Sequence, residues 1–495
     1  MMVGGDDWGR MANHKFVDVE WGPDEAKGDV RLPSYFVRIP EFDSILSGGH
    51  RYVIGRKGMG KTAVLERIRQ MADESPTIFH SELSLRSFPI QTFRALKDRA
   101  YRDKSQFVPI WTFLFAVELA RLVLKDNSVE SSTATIELRE FLERNQMLQE
   151  VGFGETVTRL KSHQSKVNVL ARWIGAELSE QTQDTIEVPI HYQRATELLL
   201  ERLERVPSDC TFYLLIDELD EGYSAGDTGI RLLLLSLLRA TEETALRLQA
   251  GGLQFRPIVA LRSDIFDGLE DNDLNKLDDL IVRICWQTTP YGDYSLRQVV
   301  DARIRASLSL APDSRAWDAV ADDKDPRLPK AVDSLWSYIC SRTFGRPRDL
   351  VKFLKLCRTH VGSSERLSYE AVTRAERDFS DWLYRELRDE IHTYLPVWRE
   401  ALQCITAIGT GIFAADRLAR ELNQDHRVLK WMNENSKTTE DVFEALFDFG
   451  VIGNLTEQGM WLFHYKDPDL VWNPGMKVIV HFGFHKKLRL KGSKS

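Results

Sequence analysis

Read as hydrophobic and polar positions, the chain alternates short apolar blocks with longer amphipathic ones. The block YVI at 52–54 closes on Gly55, and a stretch of glycines and cations leads into a helix-like run from about Thr62 to Met71. TIFHSEL then predicts a second strand. TFYLLI, from Thr211 to Ile216, predicts a third; a run this short and this apolar suits a central parallel strand covered on both faces. DTGIRLLLLSLLRATEETALRLQAGG reads as a long helix stopped by Gly251 and Gly252, RPIVALRSDIFDGL as a strand ending in polar groups, and DLIVRICWQ as a further strand. Strand alternating with helix predicts an α/β core on an open parallel sheet, with its ligand at the carboxyl ends of the strands.

The same pattern divides the chain. Residues 1–34 are polar, glycine-containing and charged, and predict a loose arm that becomes ordered near Tyr35. The core follows over 35–295, interrupted by a helical insertion at about 89–206. There IWTFLFAVELARLVLK is apolar on nearly every side and should be buried, whereas TATIELREFLERNQMLQ is amphipathic. Trp111, Phe113 and Phe115 fit either core packing, the commoner use of such spacing, or an aromatic recognition stripe. A helical lid is expected over 296–393. Over 394–495, helices precede GMWLFHY and KVIVHFGF, a helices-then-hairpin order typical of a winged helix.

Candidate chemistry concentrates behind the first strand. Gly55, Gly60, Lys61 and Thr62 satisfy G-x-x-x-x-G-K-[ST], with Gly58 adding a permissive position. Glycines let several N–H groups converge on an anion while the next helix adds its positive dipole end. The segment Gly55, Arg56, Lys57, Gly58, Met59, Gly60, Lys61, Thr62 and Ala63 is therefore expected to cradle the phosphates of ATP. Lys61 would reach the β- and γ-phosphates, and the Thr62 hydroxyl would take one position on Mg2+. Arg56 and Lys57 can touch phosphate, a neighbouring subunit or water. Asp217, where the apolar strand stops, is a second magnesium ligand, direct or through water. Glu218 is the candidate to orient a water for in-line attack on the γ-phosphate. Asp220 and Glu221 read as structural or interface charges.

With loop and acidic strand placed, the chain resembles the additional-strand P-loop ATPases, the AAA+ and STAND group, over roughly Phe36 to Leu356. The resemblance implies that Arg262, at the end of IVALRS, senses the γ-phosphate. FGRPRDL looks like the G-x-P motif of STAND proteins through Gly345 and Pro347, and like the second-sensor arginine of origin-recognition-type ATPases through Arg348. An ordinary salt bridge is the competing reading for both arginines. The chain departs from the pattern in having no clear arginine finger; Lys276, in DLNKLDD, lies nearest the place for a trans-acting cation. The whole layout is similar to bacterial P-loop ATPases encoded in anti-phage defence loci.

Composition bounds these readings. At 495 residues the chain implies two to four packed units, and 43% hydrophobic with 28% charged residues is ordinary for a soluble globular protein. A net charge of -8 and a pI near 5.9 argue against a surface coated for nucleic acid. Cys210, Cys285, Cys340, Cys357 and Cys404 stand singly and read as buried thiols in a reducing compartment. With no apolar run of membrane-spanning length and no signal-peptide layout, a cytoplasmic location is expected. The expected activity is that of a regulatory ATPase whose nucleotide state switches conformation or assembly to control a partner. A homo-oligomer and an effector or sensor protein are the expected partners, with no membrane. A DNA-binding loader using its winged helix, or a nucleotide-bound scaffold with little hydrolysis, are the alternatives. HKKLRLKGSK, with Lys486, Lys487, Arg489, Lys491 and Lys494, is either a solvated end or a phosphate clamp.

Overall fold

The computed structural model describes residues 15–84, 105–145, 147–149, 188–220, 223, 226–269, 271, 274–289, 294–362 and 365–491. Expectations placed on 1–14, on 85–104 and 150–187 of the insertion, on Glu221 and on Lys494 lie outside these residues. The chain divides into two compact units. The first, here the sheet unit, comprises Ile39–Arg56 and Lys61–Ile284; the second, the helical unit, comprises the chain up to Arg38, Lys57–Gly60, and Cys285 onward.

In the sheet unit, β1 (Tyr52–Ile54), β2 (Ile78–Ser84), β3 (Thr211–Asp217), β4 (Gln254–Leu261) and β5 (Ile281–Arg283) form a five-stranded sheet in the order β2-β3-β4-β1-β5, with every pairing parallel. Each residue of β1 and all but the ends of β3 are buried, as the unbroken apolar runs require. The strand in ICWQ is shorter than the sequence suggests: β5 stops at Arg283, and Cys285 and Trp286 lie beyond it. Helix α1 (Lys61–Asp73) leaves the loop behind β1, and α2 (Val108–Val123), α3 (Thr133–Arg144) and α4 (Val188–Leu203) form the described part of the insertion. Helix α5 (Thr228–Ala250) is capped by the Asp227 carboxylate, which accepts from the N–H groups of Gly229 and Ile230. Trp111, Phe113 and Phe115 are all at most 2% exposed, and the Trp111 indole donates to the Leu233 carbonyl at 3.1 Å. They are core, not a recognition stripe.

The helical unit carries α6 (Leu296–Leu308), started by a Ser295–Gln298 capping box, α7 (Pro347–Cys357) with proline in its first turn, and the long α8 (Tyr369–Ile391). Phe353 of α7 stacks on Phe379 of α8 at 4.2 Å. The expected loose arm is packed from its first described residues. Phe16, Val19 and Trp21 are buried, Asp24 pairs with Lys352 and Lys355, and Tyr35 lies under the Arg303 guanidinium at 4.4 Å. A few large apolar residues in a polar stretch suffice to anchor it, and composition averaged over the stretch hid them. Further along come α9 (Trp398–Ile408), β6 (Ile412–Ala414), α10 (Ala415–Gln424), α11 (Thr439–Asp448), β7 (Ile452–Leu455), β8 (Trp461–Leu462) and β9 (Lys477–Val480). The strands form an antiparallel sheet in the order β6-β9-β7-β8. The expected hairpin between WLF and KVIV is absent: both pair with β7, a strand short enough to read as the end of the preceding helix segment. Cys285 is exposed, against the expectation for all five thiols; the other four are buried. No helix among the described residues is long and apolar enough to cross a membrane.

Candidate functional site

Parallel pairing places the carboxyl ends of β1, β2, β3 and β4 along one edge of the sheet unit. The registers Ile54↔Leu261 and Ser84↔Asp217 bring Gly55, Ser84, Asp217 and Arg262 to that edge. Behind β1, Lys61 folds back so that its ammonium donates to the carbonyls of Gly55 (2.8 Å) and Arg56 (3.1 Å). Burial lowers its pKa to about 8, a shift that Asp217 opposes and Arg262 reinforces. The Thr62 hydroxyl donates to Asp217 Oδ2 at 2.8 Å. Burial raises the Asp217 carboxyl, while the Glu218 N–H (2.8 Å to Oδ1), Thr62 and Lys61 all pull it down. A hydroxyl and a carboxylate, both hard oxygen donors, suit magnesium, which takes its remaining ligands from phosphate and water.

Glu218 has a positive φ of 59°, a conformation that side chains rarely adopt and that turns the residue out of the strand direction. The Ser84 hydroxyl donates to its carboxylate. Arg262 is held by Asp264 at 2.7 Å and by Asp220 at 3.2 Å; burial pushes the Asp264 carboxyl up, but its contact with Arg262 and the charge of Arg56 keep it below its ordinary range. The salt bridge expected as the competing reading is therefore present. Asp220, read from sequence as a structural or interface charge, is one of its partners.

The tip of the loop belongs to the helical unit. Gly58 and Gly60 take φ of 83° and 105°, which glycine alone tolerates without strain. A Cβ on Gly58 would stand 3.1 Å from Cβ of Arg348, whose N–H approaches the Gly58 carbonyl at 3.4 Å. Met59 is buried, and its carbonyl accepts from the Trp286 indole at 2.8 Å. Lys57 lies 3.3 Å from Glu386 and 3.5 Å from Asp389 of α8, and Arg348 lies 3.6 Å from the same Glu386 and 3.7 Å from Glu25. Arg346, two residues earlier, is locked in a buried bidentate pair with Glu390 at 2.6 and 3.2 Å. The GRPRDL turn thus commits its first arginine to Glu390 and sets the second beside the loop, where the salt bridge expected as its competing reading is also present.

Ala63 lies in the first turn of α1 behind Thr62, and Lys276 is exposed on the 3-10 segment Leu274–Leu280. Sequence reasoning missed Ser84, Asp264, Trp286 and Glu386. Ser84 was recoverable, since it ends the strand beside the acidic one. Glu386 was not, because one acid among many on a charged helix carries no signal of what it faces. Among known families, the model described as the FunZ-associated C-terminal helical domain matches residues 294–388, the stretch holding α6, α7 and most of α8. The chain matches no curated protein.

Proposed function

We propose that this chain is an ATP-binding and ATP-hydrolysing regulatory ATPase of the additional-strand P-loop type. The observation that carries the reading is the Lys61, Thr62, Asp217 and Glu218 constellation at the carboxyl edge of a sheet in which β4 stands between the loop strand β1 and the acidic strand β3. That inserted strand is what the resemblance implies. In the reaction, a water oxygen bonds to the γ-phosphorus as the bond to the β,γ-bridging oxygen breaks, giving ADP and phosphate. Glu218, positioned by Ser84, orients the water and accepts its proton; Lys61 leaves its two carbonyls for the phosphate oxygens. Thr62 and Asp217 would hold Mg2+, which supplies charge neutralisation on the phosphates. Arg262 fits a γ-phosphate sensor that exchanges Asp220 for phosphate. Arg348 fits a second sensor on the strength of its contact with Gly58.

The nucleotide state is assigned the control of conformation or assembly, in an oligomer where Lys276 of a neighbour borders the phosphates, and the setting is bacterial anti-phage defence, on the motif layout. The DNA-loader reading is weakened by α11, the helix a winged helix would insert into a groove. It carries Glu440, Asp441, Glu444 and Asp448 with no Lys or Arg. Burial and these like charges raise the Glu444 carboxyl, the signature of an acidic face that repels phosphate. A protein contact suits that helix better.

The test separates binding from chemistry. Lys61→Ala should abolish tight ATP binding, whereas Glu218→Gln should keep binding and lose turnover by about 10²-fold or more. Nucleotide affinity and phosphate release measured on both variants decide it, and equal turnover in wild type and Glu218→Gln would refute the assignment.

A further inference from the structure

Among the described residues, a positive feature outside the proposed nucleotide site lies in the helical unit, where the C-terminal turn crosses α8. Arg377 and Asp381 of α8 and Lys486, Lys487 and Arg489 of the turn line an open pocket of about 430 Å3. The turn is fixed to the helix. The Leu488 side chain is buried, the Lys487 N–H donates to the Ser380 hydroxyl at 2.9 Å, and the Lys491 N–H donates to the Gly409 carbonyl at 2.9 Å. Two of the four cations are neutralised in place. Lys487 pairs with Asp381 at 2.6 Å, and Lys486 lies 3.5 Å from Glu376, which Arg342 also holds at 2.6 Å. Arg377 and Arg489 are exposed and have no carboxylate partner among the described residues.

Two guanidiniums thus stand beside a common opening, each without a carboxylate partner among the described residues, in a chain of net charge -8. Their planar forks match phosphate oxygens bidentately. Positive charge also runs on past the pocket: Lys486, Lys487, Arg489 and Lys491 occur with no acid among them, a row longer than one phosphate needs. Four of the five lining side chains are cations, and contacts from such groups to phosphate carry no sequence information.

We infer that this pocket is a binding site for the sugar-phosphate backbone of nucleic acid, without sequence preference, placed away from the acidic helix α11. The inference is independent of the ATPase reading. The experiment is fluorescence anisotropy of the full chain with a labelled DNA duplex, a DNA single strand and an RNA single strand of equal length, titrated with salt between about 50 and 200 mM. Binding should be insensitive to sequence and weaken linearly in log affinity against log salt. Arg377→Ala with Arg489→Ala should reduce affinity at least about tenfold at the lowest salt and lower the slope by about 2, one for each phosphate contact removed. The double lysine variant should recover most of the affinity, and melting curves should match wild type because neither arginine holds a carboxylate among the described residues. Lys61→Ala should bind as wild type does, so a failed ATPase reading leaves this test standing. Absence of binding at the lowest salt, an unchanged slope and affinity in the double alanine variant, or capture of a phosphoserine peptide in place of nucleic acid would each overturn the inference.

Discussion

At the scale of single residues, the ammonium of Lys61 governs how the site answers pH. Burial is the main cause of its fall from 10.5 to about 8. Between those values the folded, nucleotide-free chain binds fewer protons at this amine than the unfolded chain does. The group therefore adds stability as pH rises across that window, and the gain is absent below pH 8. Phosphate binding asks for the opposite state. On the proposed ATPase reading only the protonated amine attracts ATP, so affinity should fall by about tenfold at one pH unit above 8, as the competent fraction falls. Lys61→Arg, charged throughout, should show a flat affinity over the same range. Calorimetric titration from pH 7 to pH 9.5 checks both, and a parallel decline in the arginine variant would assign the effect to another group.

At the scale of elements, the loop between β1 and α1 is a backbone device, and its demands fall on Gly58. The positive φ there strains any residue with a side chain, and the Cβ of Arg348, 3.1 Å from where one would stand, would have to give way. Gly58→Ala should cost roughly 1 kcal/mol in the fold and lower ATP affinity, since the strained loop must widen where its N–H groups converge. Denaturant unfolding together with nucleotide binding measures the two effects. Wild-type affinity in this variant would mean that the cradle does not depend on the observed backbone. The acids of α8 act on the same element: Glu386 meets both Lys57 of the loop and Arg348 of α7, so Lys57 is occupied by carboxylate.

At the scale of the whole molecule, the proposed switch predicts assembly. ATP that gains a contact from a second subunit binds the assembled state more tightly, and by linkage must favour assembly by the same factor. ATP with magnesium should therefore shift the chain to an oligomer. Lys276→Ala, at an exposed position outside the loop, should leave the monomer's ATP affinity nearly intact while lowering hydrolysis and ATP-dependent assembly together. Mass measurement in solution with and without a non-hydrolysable analogue reads the outcome. An unchanged mass at micromolar protein in both states would favour a switch within one chain.

The parts legible in the sequence were those encoded by local period and spacing. The apolar runs at Tyr52–Ile54 and Thr211–Ile216 could be little but buried strands, and Gly55 to Thr62 held its chemistry in adjacent residues. The five-stranded parallel sheet followed from strand and helix in alternation. Tertiary structure decided whatever depended on partners distant in the chain. That Asp220 would join Asp264 on Arg262, that Arg346 would pair with Glu390 while Arg348 met Gly58, that Phe16 and Trp21 would anchor the early chain, and that β7 would pair with KVIV all rest on contacts across tens to hundreds of residues. The sequence determined the inventory of phosphate-competent groups, because backbone permissiveness and charge are properties of single residues. Their assignment to fold or to function was left to packing, because a salt bridge is chosen by proximity and burial, and neither is written in the order of the chain.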